Sequence, residues 1–166
     1  MPILDARKLD FMSHSAAQTH RLGVRLGELL RPGDLICLSG ELGTGKTTFA
    51  AGVGRGWGVT QPLTSPTFIL VNEYPRPGDG LKLYHIDCYR VQDAREALDF
   101  GLAEILDAPG VVLIEWAERI QSVLPRERLW ITLRHVAETK RGLLFEASGA
   151  RYERLLADFR RSAFGV

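Results

Sequence analysis

The chain has 166 residues, of which 45% are hydrophobic and 25% charged, and its formal net charge is +1. That length suits one domain, residues 1–166, with a buried core of its own, and the balanced charge supplies no global field directed at nucleic acid or a membrane surface. Cys37 and Cys88 sit singly in apolar runs and make neither a metal-type pair nor a disulfide framework; with no secretory-type N-terminus and no stretch near the roughly 20 apolar residues of a membrane helix, the expected setting is cytoplasmic, with no membrane partner.

The first periodic segment runs from Ser15 to Leu30, where Leu22, Leu26, Leu29 and Leu30 share one helical face. Arg31-Pro32-Gly33-Asp34 ends it in a turn. Leu35 to Ser39 is apolar almost throughout, as expected of a strand covered on both faces. A glycine-rich loop follows. A helix then starts near Lys46, with Phe49, Val53 and Trp57 at spacings of four and Gly58 as its stop. Ile69 to Tyr74 and Leu81 to Asp87 read as strands. The segment Pro75 to Gly80 between them is too short for a crossover helix, which predicts an antiparallel hairpin. Residues 93–107 read as helical. Val111 to Ile114 is a further buried strand, closing on Glu115. Leu129 to Arg134 and Leu143 to Ala147 form a late pair of strands, and Tyr152, Leu155, Leu156 and Phe159 mark a closing amphipathic helix. The pattern predicts an α/β fold of P-loop NTPase type: a mixed sheet flanked by helices, with an antiparallel hairpin after the P-loop helix.

Gly40, Gly45, Lys46 and Thr47 satisfy the pattern G-x-x-x-x-G-K-(S/T). The chemistry needs these types. Glycines let the backbone curl so that successive N–H groups converge on phosphate oxygens, here through Glu41, Leu42, Gly43, Thr44 and Gly45. The helix that begins there adds the positive end of its dipole. Lys46 is placed to reach the β- and γ-phosphates, and the Thr47 hydroxyl to ligate magnesium. Thr48 is either a second phosphate contact or a plain first-turn residue. The predicted cofactors are ATP and Mg2+.

Asp87 and Glu115 each close an apolar run. In open α/β sheets ligands sit at the carboxyl ends of the strands, where an acid can hold magnesium or orient an attacking water. The residues alone do not divide those two roles between them. Other positions carry two readings each. Thr67, in Ser65-Pro66-Thr67-Phe68, is a plain turn residue or a γ-phosphate sensor. His85 shares a strand face with Asp87 and is structural or working. Trp116 packs in the core or against the nucleotide. A small-molecule P-loop kinase is the competing enzyme class, but no arginine-rich lid is visible between residues 116 and 166. A GTPase-type switch lacks its base-reading Asn-Lys-x-Asp motif.

Taken in order, Gly40-Glu41-Leu42-Gly43-Thr44-Gly45-Lys46-Thr47-Thr48-Phe49, Ser65-Pro66-Thr67-Phe68, His85-Ile86-Asp87-Cys88-Tyr89-Arg90 and Glu115-Trp116-Ala117-Glu118-Arg119 resemble the TsaE (YjeE) family, from about Thr19 to Tyr152. The resemblance implies a magnesium-dependent ATPase, slow alone, that supports tRNA threonylcarbamoyladenosine modification by acting on TsaD-type and TsaB-type partner proteins and reaches tRNA indirectly through them. It implies that Lys46 and the loop amides hold the phosphates and that Thr47 and Glu115 hold magnesium. It further implies catalytic roles for Asp87, Glu115 and a switch-like Thr67, and positions near the nucleotide for Trp116 and for Arg141, in the turn before the last strand. Thr19 matches a usual threonine of the family. The family's common arginine in the loop helix is missing from Ala50-Ala51-Gly52; if that arginine contacts a partner, this chain must use another residue, for which Arg55 is a candidate.

Overall fold

Leu35 to Ser39 carries no exposed residue, and a strand without a solvent face belongs inside a sheet. The computed structural model describes residues 3–64 and 71–166 and places this strand near the middle of a single sheet. In chain order the elements are β1 (Ile3–Leu4), β2 (Lys8–Ser13), α1 (Ala16–Gly27), β3 (Leu35–Ser39), α2 (Lys46–Trp57), β4 (Val71–Pro75), β5 (Lys82–Asp87), α3 (Arg95–Asp99), α4 (Leu102–Asp107), β6 (Gly110–Glu115), a 3-10 segment (Ala117–Val123), β7 (Arg128–His135), β8 (Arg141–Ser148) and α5 (Ala150–Phe164). The strand order across the sheet is β1-β2-β8-β7-β3-β6-β5-β4. The inner strands β7, β3, β6 and β5 run parallel, and the margins β4 and β8-β2-β1 are antiparallel.

This is the predicted mixed α/β sheet, and β4 and β5 form the predicted antiparallel hairpin after the P-loop helix. The predicted positions Ile69 and Leu70 of its first strand lie outside the described residues. Two features differ from the sequence reading. The segment read as one helix over residues 93–107 is two short helices, because Gly101 at φ 91° turns the chain between them. The N-terminal residues also add strands β1 and β2 to the sheet. Only Leu9, Phe11 and Ser13 of β2 are buried, too short an alternation to announce itself.

Alternation along the inner strands builds two cores. Ile36 and Leu38 of β3, Val111 and Leu113 of β6, and Leu83 of β5 face α1, α2 and α5. Leu35 and Cys37, Val112 and Ile114, and Ile86 face α3, α4 and the 3-10 segment. Residues continuing the first set toward the strand ends, His85, Asp87 and Glu115, therefore lie on the side from which α2 approaches. The start of β3 is pinned by α5. Tyr152 Oη accepts the Leu35 N–H at 2.8 Å, and Arg151 grips Asp34 through two hydrogen bonds of 2.9 and 2.7 Å.

Helix α1 holds α2 through a seam of glycines. A Cβ placed on Gly23 would sit 2.4 Å from the Phe49 carbonyl oxygen, one on Gly52 2.2 Å from that of His20, and one on Gly56 2.1 Å from that of Val24. Backbone meets backbone here, so no side chain can swing aside. Gly56→Ala is expected to cost about 3 kcal/mol, at the upper end of ordinary overpacking. For a chain of this size that is a fall of roughly 6–12 °C in Tm, read by calorimetry. An unchanged Tm would show that the seam is not tight.

Candidate functional site

The strand-end register brings the site together. Leu38 of β3 lies opposite Glu115 of β6, and Glu115 lies opposite Asp87 of β5, so the loop after β3 opens beside two acids carried by successive neighbouring strands. The loop begins at Gly40, whose φ of 133° and approach to β7 admit only glycine: a Cβ would lie 2.1 Å from the Leu133 carbonyl oxygen. Gly43 and Gly45 also have positive φ, at 75° and 97°, and Gly45 hands the chain directly to α2. The Thr44 hydroxyl donates to the Glu41 carbonyl at 2.8 Å and braces the curl from below. The first turn of α2 then directs its dipole into a cavity of about 530 Å³.

Most of the sequence-predicted site residues converge on that cavity. Leu42, Gly43, Gly45, Lys46, Thr47 and Thr48 line it from the loop and the start of α2, together with Asp87, Glu115, Trp116 and Arg141. Glu41 and Thr44 belong to the loop without lining the cavity, and Thr44 is buried beneath it. Thr67 lies outside the described residues. Arg141 is the first residue of β8 rather than part of the preceding turn. Its Nη1 donates to the carbonyls of Ala137 and Lys140 at 2.9 and 3.0 Å and so shapes that turn.

Lys46 is the only buried lysine among the described residues. Its Nζ donates to the carbonyls of Gly40 and Glu41, the latter at 2.7 Å, and stands 4.3 Å from the centroid of the Trp116 ring. Burial pushes the ammonium down from its ordinary pKa, while Glu118, Glu115, Asp87 and Glu41 pull it back up. Trp116 reaches this position from a left-handed backbone, φ 58°, the only non-glycine residue in that region among those described. Such a conformation costs an aromatic residue on the order of 1–2 kcal/mol. It ends β6, starts the 3-10 segment, and turns the indole over Lys46 with Tyr89 packed at 5.0 Å.

Glu115 is 2% exposed and has both oxygens engaged. Oε1 accepts from the Thr47 hydroxyl at 3.1 Å, and Oε2 meets His85 Nε2 at 2.6 Å. Asp87 is half-buried. Burial raises its pKa, the Tyr89 N–H at 2.9 Å on Oδ1 opposes the rise, and Glu115 adds to it. The Thr47–Glu115 oxygen separation fits a magnesium site: two adjacent ligands of an octahedral ion at about 2.1 Å lie roughly 3 Å apart. Among the described residues no three His, Cys, Asp or Glu side chains form an all-protein metal cage.

Some cavity residues carried no signal in the sequence. Ser15 and Ala16 start α1, and Glu138 and Thr139 occupy the β7–β8 turn; both reach the cavity only through the tertiary fold. Glu118 accepts from the Gly40 N–H at 3.4 Å. Thr19 also lines the cavity, and its hydroxyl is held by Ser13 Oγ at 2.7 Å, tying the end of β2 to α1.

A buried parallel strand, a glycine loop that caps the next helix, and that helix's lysine and threonine beside neighbouring strand-end acids place the protein in the P-loop α/β class. The comparison with family models narrows the class. The model described as "Threonylcarbamoyl adenosine biosynthesis protein TsaE" matches residues 13–143, and the chain belongs to that family. The tRNA threonylcarbamoyladenosine biosynthesis protein TsaE of Bacillus subtilis is 39% identical over 93% of this chain and 96% of its own length. The protein of the same description from Treponema pallidum is 40% identical over 78% and 94%. The crystal structure of YdiB from Bacillus subtilis superimposes with a TM-score of 0.77 at 34% identity, covering 97% of each chain. No helix among the described residues is long and apolar enough to cross a membrane.

Proposed function

We propose that the protein is a magnesium-dependent ATPase that supports tRNA threonylcarbamoyladenosine formation in the cytoplasm by acting on a complex of TsaB-type and TsaD-type proteins, and so reaches tRNA indirectly. One observation carries the reading: the Thr47 hydroxyl and the Glu115 carboxylate face each other at 3.1 Å directly behind Lys46. Family membership and the names of the relatives support the pathway.

In this reading the loop amides from Gly43 to Thr48 bind phosphate oxygens. Lys46 exchanges the carbonyls of Gly40 and Glu41 for the β- and γ-phosphates. Thr47 and Glu115 hold Mg2+, which when bound neutralises developing charge on the phosphates. Asp87, one strand further out, orients water for attack. Trp116, whose ring lies over Lys46, and Arg141 bound the nucleotide at the cavity wall. Thr67 is proposed as the γ-phosphate sensor on the family resemblance alone.

The test is ATP turnover by the full chain with and without the TsaB–TsaD pair, together with a binding titration in ATP and in ADP. Slow hydrolysis alone, changed turnover with partners and nucleotide-dependent binding are expected. Partners that neither bind nor alter turnover would sink the reading, and efficient phosphate transfer to a small metabolite would replace it with a kinase.

Asp87 supplies a prediction with opposite signs for stability and activity. Its folded pKa is raised, so its ionised form is destabilising above that pKa, and the penalty is relieved as pH falls through it. Asp87→Asn is therefore expected to raise the Tm of the nucleotide-free protein at pH 7 slightly, by on the order of 1–2 °C. The same change lowers turnover about 10²-fold, the lower range for a lost proton-handling group. Paired thermal melts and phosphate release measure both. Full turnover in this variant removes Asp87 from the reaction.

A further inference from the structure

His85 is 0% exposed, at the heart of the α2-facing side of the sheet, and its role is not assigned by the reading above. The carboxylate of Glu115 is acceptor-only, so the 2.6 Å contact requires the proton on His85 Nε2. The other ring nitrogen, Nδ1, is buried and has no hydrogen-bond partner among the described residues. As packing, this is a poor solution. Leu83, two residues earlier on the same strand face, fills its place with no polar atom to satisfy, and a leucine at position 85 would avoid the orphaned nitrogen. What histidine adds over an apolar residue is one directed N–H, and that N–H points at Glu115.

The consequence lies on the other oxygen. A carboxylate held at one oxygen can turn about its terminal bond. Glu115 is held at both, with Oε2 at His85 and Oε1 at the Thr47 hydroxyl 3.1 Å away. We propose that His85 is a positioning residue for magnesium: its Nε2–H anchors Glu115 Oε2 and thereby keeps Oε1 turned toward Thr47. The inference rests on the reading of Thr47 and Glu115 as the magnesium pair. His85 touches neither ion nor nucleotide; it sets the orientation of the group that does.

Three variants separate this role from packing. His85→Leu removes the N–H and keeps the bulk. His85→Gln carries an amide N–H out to about the reach of Nε2, and His85→Asn carries one that falls short. The readout is a Mn2+ titration of the full chain, followed by electron paramagnetic resonance in the presence of a non-hydrolysable ATP analogue. Affinity for the analogue without metal is measured alongside. His85→Leu and His85→Asn are expected to raise the half-saturating Mn2+ concentration about 10–100-fold, the usual cost of losing an outer-shell partner, with His85→Gln within about 3-fold of wild type. Metal-free nucleotide affinity is expected to be unchanged in all three. If His85→Leu does not fold, the contrast between Asn and Gln decides. Equal Mn2+ requirements for those two, or a wild-type requirement in His85→Leu, overturns this inference alone. A wild-type protein that binds no Mn2+ with the analogue overturns the magnesium reading and this inference with it.

Discussion

Lys46→Ala is expected to leave a folded chain that no longer holds or hydrolyses ATP, with turnover reduced by at least about 10²–10³-fold, the cost of removing one preorganised charge-stabilising group. The expectation follows from where the ammonium stands. It is buried, donates to two loop carbonyls and lies over the Trp116 ring, so it is already inside the space that phosphates must enter. In the proposed function, nucleotide binding exchanges those carbonyl partners for phosphate oxygens. Alanine removes that exchange. It also leaves Glu41, Asp87, Glu115 and Glu118, the four carboxylates that bear on the ammonium, without their common counter-charge. A triphosphate approaching that alanine variant meets net repulsion, so loss of binding should be the main effect. Lys46→Arg is not expected to rescue it, because a planar guanidinium does not fit a site built around a point charge. Calorimetric titration with ATP, beside a thermal melt to show the fold is kept, measures both. Wild-type affinity in Lys46→Ala would move the phosphate site away from this loop.

Lys46 also shows why part of the site was legible in the sequence. The loop, its lysine and its threonine lie within nine consecutive residues, and their chemistry depends on local backbone curl that glycines announce. Asp87 and Glu115 were legible one step less directly. Each ends an apolar run, which places it at a strand end, but only the β5–β6–β3 order makes them neighbours of the loop. Pairings of that kind are non-local. The same reason hides Glu138 and Thr139, which reach the cavity from a turn nearly a hundred residues downstream of the loop. It hides the contact of Ser13 with Thr19, which needs β2 to have joined the sheet. The setting of Ala50-Ala51-Gly52, where the resemblance leads one to expect an arginine, also shows only in three dimensions. Ala50 and Gly52 lie on the buried side of α2, with Gly52 pressed on the His20 carbonyl. Arg55 is exposed on the same helix.

Glu115 permits a sharper separation of charge from structure than any other residue of the site. Glu115→Gln keeps the shape, and its amide can still accept from Thr47 and donate to His85 if the imidazole changes tautomer. What it loses is the negative charge that a hard divalent cation requires. The expected result is a Tm close to wild type and a magnesium requirement raised by at least about 10²-fold, beyond the usual effect of an outer-shell partner. Glu115→Ala should behave differently. It strands the His85 Nε2–H in a buried site where Nδ1 already lacks a partner. An unsatisfied buried polar group costs about 1–3 kcal/mol, roughly 2–12 °C in Tm for a chain of this length. The two variants should therefore share the metal defect and differ in stability. Magnesium titrations of ATP turnover and thermal melts on both proteins test the pair. Normal magnesium dependence in Glu115→Gln would show that the ion is not held by this carboxylate. Equal loss of Tm in both variants would show that the charge, rather than the hydrogen bonds to His85 and Thr47, stabilises the strand ends.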